Sequence, residues 1–199
     1  MSGKGLDHFE VFGLPRQLSI DGAELQRKFY ELSRRGHPDF HQGAPPERQA
    51  EILELLEHAY WMEIETVMSY VANSINPDGV RAQEIRESLE EDIQEELGHA
   101  QQFANRIKEL DGVVPGSEEF QAEQSFLQPP AEQTDIVHVI RGVIQAEEGA
   151  IQHYNRIIEV TDGVDWTTQD MVIAILRDEE GHRRLFQGFL REYEAEGSA

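Results

Sequence analysis

The sequence contains no cysteine among its 199 residues. This absence excludes disulfides, thiolate catalysis and the zinc or iron–sulfur sites that need sulfur ligands, so any bound metal would sit on oxygen and nitrogen atoms. Long apolar runs are also missing, because no stretch approaches the roughly 18 to 20 residues of a membrane-spanning helix. The opening "MSGKGLDHF" has no apolar signal core. We therefore expect a cytoplasmic protein that has no membrane partner.

Basic residues are scarce, with 17 Lys and Arg against 39 Asp and Glu and a formal net charge of −22. Proteins bind the nucleic-acid backbone through basic side chains, so we expect no nucleic-acid partner. The acidity instead favours attraction of cations. The first 50 residues hold seven basic and seven acidic side chains, so the negative charge belongs to the remainder of the chain. This change in charge along the chain is consistent with two domains, residues 1–50 and residues 51–199.

Apolar residues recur mostly at three- and four-residue spacing, and no stretch alternates with period two for long, which predicts an all-α fold. The turn signal "NPDG" at 76–79 and the broken stretch 112–133 separate the helices. Thr167 or Thr168 is the expected N-cap of the last one. The four predicted helices span about 46–74, 80–110, 134–160 and 167–194. Two hairpins joined by a long crossover predict a four-helix bundle.

The two predicted hairpins repeat one pattern. The first helix contains "EIETVMSY" from Glu63 and the third contains "EEGAIQHY" from Glu147, so Tyr follows Glu by seven residues in both. The second and fourth helices contain "EELGH" and "DEEGH". Glu63 and Glu96 are 33 residues apart, and Glu147 and Glu179 are 32 apart. One helical hairpin is therefore used twice.

Each of the four helices places acidic groups on its apolar face. Burial of four carboxylates without positive charge would be severely unfavourable, and two divalent cations would balance them. The Glu-x-x-His spacing presents an oxygen and a nitrogen on one helix face. One Glu from each of two helices and Glu-x-x-His from each of the others form the ligand set of di-iron and di-manganese bundles. The predicted metal-binding and catalytic residues are Glu63, Glu96, His99, Glu147, Glu179 and His182.

Other acidic, histidine and tyrosine residues of the four helices are expected to have no role as metal ligands or to be alternatives to the six. The apolar face of the third helix includes Glu147 rather than Glu148, which favours Glu147 as the ligand from this helix. Glu148 remains the alternative ligand. Glu65 and Glu148 are expected to face solvent. The other expected surface residues are His58, His138 and His153. Tyr70 and Tyr154 are either core tyrosines, the favoured interpretation, or hydrogen-bonding partners or electron donors at the metal site.

Residues from about 51 to 199 resemble the ferritin and bacterioferritin superfamily. The likeness rests on "ILRDEEGH" at 175–182 and on "ELGHA" followed by Arg106 and Ile107. It implies a ferritin-like bundle in which Glu96 and Glu179 bridge two iron ions and the other four predicted residues are terminal ligands. It also implies ferroxidase chemistry with O₂ or peroxide, manganese as a possible metal, and a homo-oligomer. Leu97 occupies the position of the haem-ligating Met of bacterioferritins, so no haem is expected.

The N-terminal module resembles the J-domain of HscB-type co-chaperones. "FEVFGLP" precedes a basic amphipathic helix, which is followed by His-Pro-Asp. The resemblance implies contact with an Hsp70-type chaperone through His37, Pro38, Asp39, Arg27 and Lys28. A third J-domain helix would fall within the first bundle helix, so the module either shares that helix or is truncated and abuts it.

Three functions remain open from the sequence. The leading hypothesis is an iron-oxidising ferritin-like protein coupled to a chaperone through its J-domain-like module. A second is a peroxide-detoxifying di-iron or di-manganese protein resembling rubrerythrin or manganese catalase. A third is a co-chaperone adaptor in which the metal site is structural.

Overall fold

The computed structural model describes residues 24–26, 28–29 and 45–197. The chain divides into two compact units, Met1–Ala44 and Pro45–Ala199. The second unit contains four long helices: α1 at Pro46–Ile75, α2 at Ala82–Glu109, α3 at Ile136–Thr161 and α4 at Trp166–Gly197. The all-α expectation is confirmed. No helix in the described part of the chain has the length and apolar character needed to cross a bilayer.

In the first unit, the described residues 24–26 and 28–29 are helical. Lys28 is partly exposed there. The predicted chaperone contacts Arg27, His37, Pro38 and Asp39 lie outside the described residues.

The bundle is built from two hairpins, as the repeat predicts. α1 packs along α2, α3 packs along α4, and α1 also contacts α3. The "NPDG" turn closes the first hairpin, where Gly79 has a φ of 107° that an L side chain rarely adopts. Apolar side chains from all four helices fill the core, and its largest fully buried members are Tyr70, Tyr154, Phe103 and Phe186.

The crossover between α2 and α3 is packed against the bundle. It contains a single turn of 3₁₀ helix at Ser125–Leu127, and Leu127 is buried in the core. Asn73 Nδ2 donates to the Leu127 carbonyl at 2.8 Å. A Cβ atom on Gly142 of α3 would lie 2.9 Å from the Phe126 carbonyl oxygen, so the glycine permits this close approach.

A buried carboxylate holds the crossover in place. Both oxygens of Glu65 accept hydrogen bonds from the backbone N–H of Glu123, at 3.1 and 2.8 Å, and Oε1 also accepts the Gln124 N–H at 2.8 Å. Glu65 is 5% exposed. The expectation that Glu65 faces solvent was wrong, because helix periodicity does not reveal an irregular segment that covers the outer side of α1. Glu148 is exposed, as expected.

The start of α4 also differs from the sequence expectation. Asp165, rather than Thr167 or Thr168, caps the helix, since its Oδ1 accepts the Thr168 N–H at 3.0 Å. Arg106 on α2 donates to both Asp165 oxygens, at 2.9 and 3.1 Å, and its Nε donates to Thr168 Oγ1 at 2.8 Å. Burial raises the pKa of Asp165, but the hydrogen bonds from Thr168 and Arg106 outweigh it and lower the pKa overall.

Candidate metal centre

The six predicted residues converge inside the bundle. Glu63 comes from α1 and Glu147 from α3, while α2 and α4 each contribute a Glu and a His one helical turn apart. All six side chains are buried, and their exposures are 3% for Glu63, 1% for Glu96, 4% for His99, 2% for Glu147, 1% for Glu179 and 8% for His182. Apolar burial of these four helix faces drives the polar groups together at the bundle centre.

The six residues form two overlapping groups. One consists of Glu63, Glu96, His99 and Glu179, and the other of Glu96, Glu147, Glu179 and His182. Within each group, one potential ligand atom per residue lies within 4.8 Å of all the others. Glu96 and Glu179 belong to both groups. The other four side chains divide evenly, so each group has one further carboxylate and one imidazole.

Each shared carboxylate turns one oxygen to each half of the centre. Glu96 Oε2 lies 3.2 Å from His99 Nδ1, and its Oε1 lies 3.4 Å from His182 Nδ1. Glu179 repeats this division, with Oε1 3.1 Å from His99 Nδ1 and Oε2 3.7 Å from His182 Nδ1. Two carboxylates oriented in this way can each bridge a pair of ions.

Both imidazoles direct Nδ1 inward and Nε2 toward acidic groups of the opposite helix. His99 Nε2 lies 3.5 Å from Asp178 Oδ2 on α4. His182 Nε2 lies 2.9 Å from Glu95 Oε2 on α2 and 3.8 Å from Asp92 Oδ1. An outer carboxylate that accepts the Nε2–H leaves the Nδ1 lone pair available for a metal.

Sequence reasoning did not single out these outer carboxylates, although a signal was present. Glu95 and Asp178 immediately precede the shared glutamates in the two repeated motifs "EELGH" and "DEEGH". An acidic residue at the same place in both repeats marks the partner of an imidazole across the bundle.

Two tyrosines complete the centre. Tyr70 on α1 donates its hydroxyl hydrogen to Glu147 Oε1 at 2.5 Å, and Tyr154 on α3 donates to Glu63 Oε1. The favoured interpretation of both as plain core tyrosines was wrong, because their hydroxyls orient two of the central carboxylates. Burial, followed by the charge of Glu147, raises the pKa of Tyr70 well above its ordinary value, so this hydroxyl keeps its proton.

The carboxylates of the centre differ in their affinity for protons. Burial and the charges of Glu96 and Glu179 raise the pKa of Glu63 and of Glu147 well above the usual range. Burial also acts to raise the pKa of Glu179, but contacts with His182 and His99 outweigh it and hold the pKa at about 2. Protons thus concentrate on Glu63 and Glu147 and on the two imidazoles.

The histidines show the opposite balance. Burial acts to lower the pKa of His99, but the neighbouring carboxylates Glu179 and Glu96 outweigh it and raise the pKa to about 10. For His182 the same two carboxylates raise the pKa to about 12 against the effect of burial. Protons here compensate the acidic cluster in the way that cations would.

Asp92 is an acidic group that the sequence pattern gave no reason to choose. It is buried at 6% exposure, and burial raises its pKa to about 7, although the nearby His182 opposes this shift. Its Oδ2 has no hydrogen-bond partner.

The remaining predicted surface histidines fall into two groups. His58 and His138 are exposed, as expected. His153 is half-buried, with Nε2 2.8 Å from the Leu55 carbonyl oxygen. The expectation for His153 was therefore only partly correct, because α1 packs closely enough to α3 to cover one edge of its ring.

Comparison with known proteins gives the same architecture. A DNA protection during starvation protein from Pyrococcus furiosus is 31% identical over 144 residues, which cover 70% of this chain and 76% of that protein. A dodecameric thioferritin, a bacterioferritin-related protein from Bacteroides fragilis, is 27% identical with a TM-score of 0.67, covering 75% of this chain and 90% of that one. The bacterioferritin of Desulfovibrio desulfuricans, whose structure contains a di-iron site, shares the fold with a TM-score of 0.65 at 21% identity, covering 77% of this chain and 85% of that one.

A separate, short likeness involves another protein. A co-chaperone protein HscB homolog from Vibrio parahaemolyticus is 56% identical over 34 residues, which are 17% of this chain and 20% of that protein. The family model of the ferritin-like domain, in contrast, matches residues 36–195. Together with the four-helix topology and the 31% identity to the Pyrococcus protein, this match shows that the chain belongs to the ferritin-like domain family.

Proposed function

We propose that the bundle binds two Fe(II) ions as substrate and oxidises them with O₂ or peroxide. The observation that carries this proposal is the division of the oxygens of Glu96 and Glu179 between the two histidines. In this proposal the two shared glutamates bridge the ions. Glu63 and His99 complete one site, and Glu147 and His182 complete the other.

The donor set fits iron. Four carboxylates balance the charge of two divalent ions, and mixed oxygen and nitrogen ligands suit Fe(II) and Mn(II). Three buried atoms without a hydrogen-bond partner belong to this cluster: Glu96 Oε1, Glu179 Oε1 and His182 Nδ1. Buried polar atoms of native proteins are rarely left without partners, so a bound ion accounts for these three together.

The chemistry needs two electrons. Each Fe(II) supplies one electron, and two electrons with two protons convert O₂ into hydrogen peroxide. If peroxide is the oxidant, the same two electrons and two protons convert it into two water molecules. Glu96 and Glu179 would hold the two substrate ions as a pair. In two-metal sites of this kind the two ions are typically about 3.5 to 4 Å apart. Tyr70 and Tyr154 orient Glu147 and Glu63, respectively, through their hydroxyl groups.

The first test is anaerobic titration of the metal-free protein with Fe(II), followed by exposure to O₂ while near-ultraviolet absorbance is recorded. We expect about two irons per chain and rapid oxidation. Glu96→Ala and Glu179→Ala should each abolish oxidation, because each removes a bridge to both ions. Wild-type rates in both variants would overturn the assignment, and absence of iron binding would favour the co-chaperone adaptor.

Peroxide removal is the alternative with the same ligands. It predicts faster turnover with peroxide than with O₂ and no accumulation of iron mineral. The metal in this alternative is either iron or manganese, so the rates with peroxide and with O₂ should be compared for both the Fe(II)-loaded and the Mn(II)-loaded protein. A higher rate with peroxide than with O₂ in either form would favour peroxide removal.

We also propose that the chain forms a homo-oligomer. Supporting this, one structural neighbour is a dodecamer and 90% of its chain aligns with this one. Light scattering coupled to size exclusion gives the mass directly, and a mass near 22.7 kDa would mean a monomer and overturn the proposal.

For the N-terminal module we propose contact with an Hsp70-type chaperone. The 34-residue likeness to an HscB homolog supports this proposal. His37, Pro38, Asp39, Arg27 and Lys28 are the proposed contacts. Stimulation of the ATPase of an Hsp70 by the full-length chain, and its loss in His37→Gln, is the expected result. Equal ATPase rates with wild type and variant would contradict it.

A further inference from the structure

Three side chains of types that can ligate metal ions lie near one another outside the central site. They are His58 on α1, His153 on α3 and Glu123 on the crossover. The two imidazole rings meet edge to face, with centroids 4.6 Å apart and planes inclined by 76°. His58 Nε2 lies 3.2 Å from Glu123 Oε2. We propose that these three side chains bind one divalent transition-metal ion, which is additional to the pair at the bundle centre.

The environment of His153 leaves one ring nitrogen available. Its Nε2 lies 2.8 Å from the Leu55 carbonyl oxygen. A carbonyl oxygen can only accept, so Nε2 carries the hydrogen and the neutral ring keeps its lone pair on Nδ1. Metal-bound histidines commonly donate their other N–H to a backbone carbonyl, which fixes the tautomer and the ring orientation. The hydrogen bond to the Leu55 carbonyl on α1 thus leaves Nδ1 of His153 free to bind a metal ion.

The contact between His58 and Glu123 has the dimensions of a metal site. With metal–ligand bonds of about 2.0 to 2.1 Å, two ligand atoms of a tetrahedral ion are about 3.3 Å apart. The measured N···O distance of 3.2 Å is close to this value. An ion can therefore replace the hydrogen that these two atoms share. The side chains are 47% and 68% exposed, so both can rotate toward the His153 ring as the ion binds.

The crossover holds Glu123 in position for this role. The buried Glu65 carboxylate accepts the backbone N–H groups of Glu123 and Gln124, and Thr66 hydrogen-bonds to the Gln124 side chain. These contacts fix the crossover backbone against α1, the helix that also carries His58. The three proposed ligands therefore come from three segments that the fold already joins.

The ligand set indicates which ions would bind. Two imidazoles and one carboxylate, with water in the fourth position, form a common Zn²⁺ site. The net charge of −22 raises the local concentration of cations. A bound ion would link α1, α3 and the crossover, so it would also raise thermal stability.

Zinc binding to the full-length, metal-free protein tests the proposal. Equilibrium dialysis should show one more Zn²⁺ per chain for wild type than for His58→Asn. His138→Asn is the matched control, since His138 is also exposed and its Nε2 contacts a backbone carbonyl, that of Gln128, at 3.1 Å. This control should bind as many ions as wild type. Because the comparison is between variants, it does not depend on occupancy of the central site.

Nitrogen-15 NMR of the histidine side chains gives an independent readout. Zinc should shift the Nδ1 signal of His153, while its Nε2 stays protonated. Equal ion counts in wild type and His58→Asn, loss of an ion in His138→Asn, or an unchanged His153 Nδ1 signal would each overturn the proposal. Thermal unfolding in EDTA should be the same for His58→Asn and wild type, which shows that the variant is folded.

Discussion

The hydroxyl of Tyr70 on α1 donates a hydrogen bond to Glu147 on α3 across the bundle, with an O···O distance of 2.5 Å. Tyr154 on α3 makes the same contact in the opposite direction, to Glu63 on α1. The two hairpins therefore exchange equivalent hydrogen bonds. Each tyrosine donates a hydrogen bond to a carboxylate of the other hairpin. Because each of these carboxylates belongs to a different half of the proposed iron site, the two halves can be tested separately.

Tyr70→Phe should weaken the ion held at Glu147, and Tyr154→Phe the ion held at Glu63. Loss of such a supporting hydrogen bond typically lowers metal affinity by about 10- to 100-fold. Anaerobic Fe(II) titration should then show one weakened site in each variant and one site of wild-type affinity. Tyr60→Phe, whose ring packs on Trp61 instead, is the control. Wild-type binding at both sites in both variants would show that the hydroxyls do not position the ligands.

The pair Glu147 and Glu148 offers a direct test of the ligand assignment. Glu147 is 2% exposed and belongs to one of the two four-residue groups, whereas Glu148 is exposed. We expect Glu147→Gln to remove one of two bound Fe(II) ions and to slow oxidation severely. Glu148→Gln should behave as wild type in both assays. The reverse pattern would transfer the ligand role to Glu148.

Glu65→Gln should destabilise the bundle. The amide of glutamine places an N–H₂ group where a carboxylate oxygen accepts backbone N–H groups, so the Glu123 N–H loses at least one of its two acceptors and lies against another donor. The expected cost is about 1 to 3 kcal/mol in the free energy of unfolding. Urea denaturation measures it, with the exposed Glu54→Gln on the same helix as control. Equal midpoints for the two variants would mean that the crossover does not depend on Glu65.

The Asp165–Arg106 pair should make stability depend on pH. The pKa of Asp165 is lowered in the folded protein, so its stabilising effect is fully present above its unfolded value of about 3.9. The effect is lost as the pH falls through the lower folded pKa. Asp165→Asn keeps a good N-cap but removes the charge next to Arg106, at a cost of about 1 kcal/mol at pH 7.

Urea unfolding of Asp165→Asn and wild type at pH 7 and at about pH 3 checks this expectation. The difference between them should shrink at the lower pH, because Asp165 of the unfolded wild-type protein is mostly protonated there and its proton opposes folding to the ionised form. Asp170→Asn, an exposed position in the same helix, should show no such trend. A constant difference at both pH values would mean that the charge of Asp165 is not responsible.

The sequence pattern was sufficient to predict which residues meet at the bundle centre. Glu63 and Glu147 interrupt apolar stripes, and helical periodicity fixes the face on which they lie. The Glu-x-x-His motifs, the doubled hairpin and the absence of cysteine narrowed the proposed ligands to six residues. The structure brings all six together, because a four-helix bundle has only one interior into which four apolar faces can point.

Contacts between distant segments could not be read from periodicity. Glu65 lies on the outer side of α1 and would face water if the crossover did not cover it. Asp165 became the cap of α4 because Arg106 approaches from another helix. The partner of Glu65 is an irregular segment and the partner of Asp165 is a side chain of another helix, and the position of both depends on packing of the whole bundle.

The amino-acid sequence by itself determined the helices, the faces that they bury and the types of ligand atom at the centre, because these follow from local spacing and composition. Tertiary structure alone decided how each shared carboxylate divides its oxygens, which hydroxyl reaches which glutamate, and that His58, His153 and Glu123 become neighbours. These relations depend on helix rotation and crossover path to within about an ångström, and many side-chain contacts set them jointly.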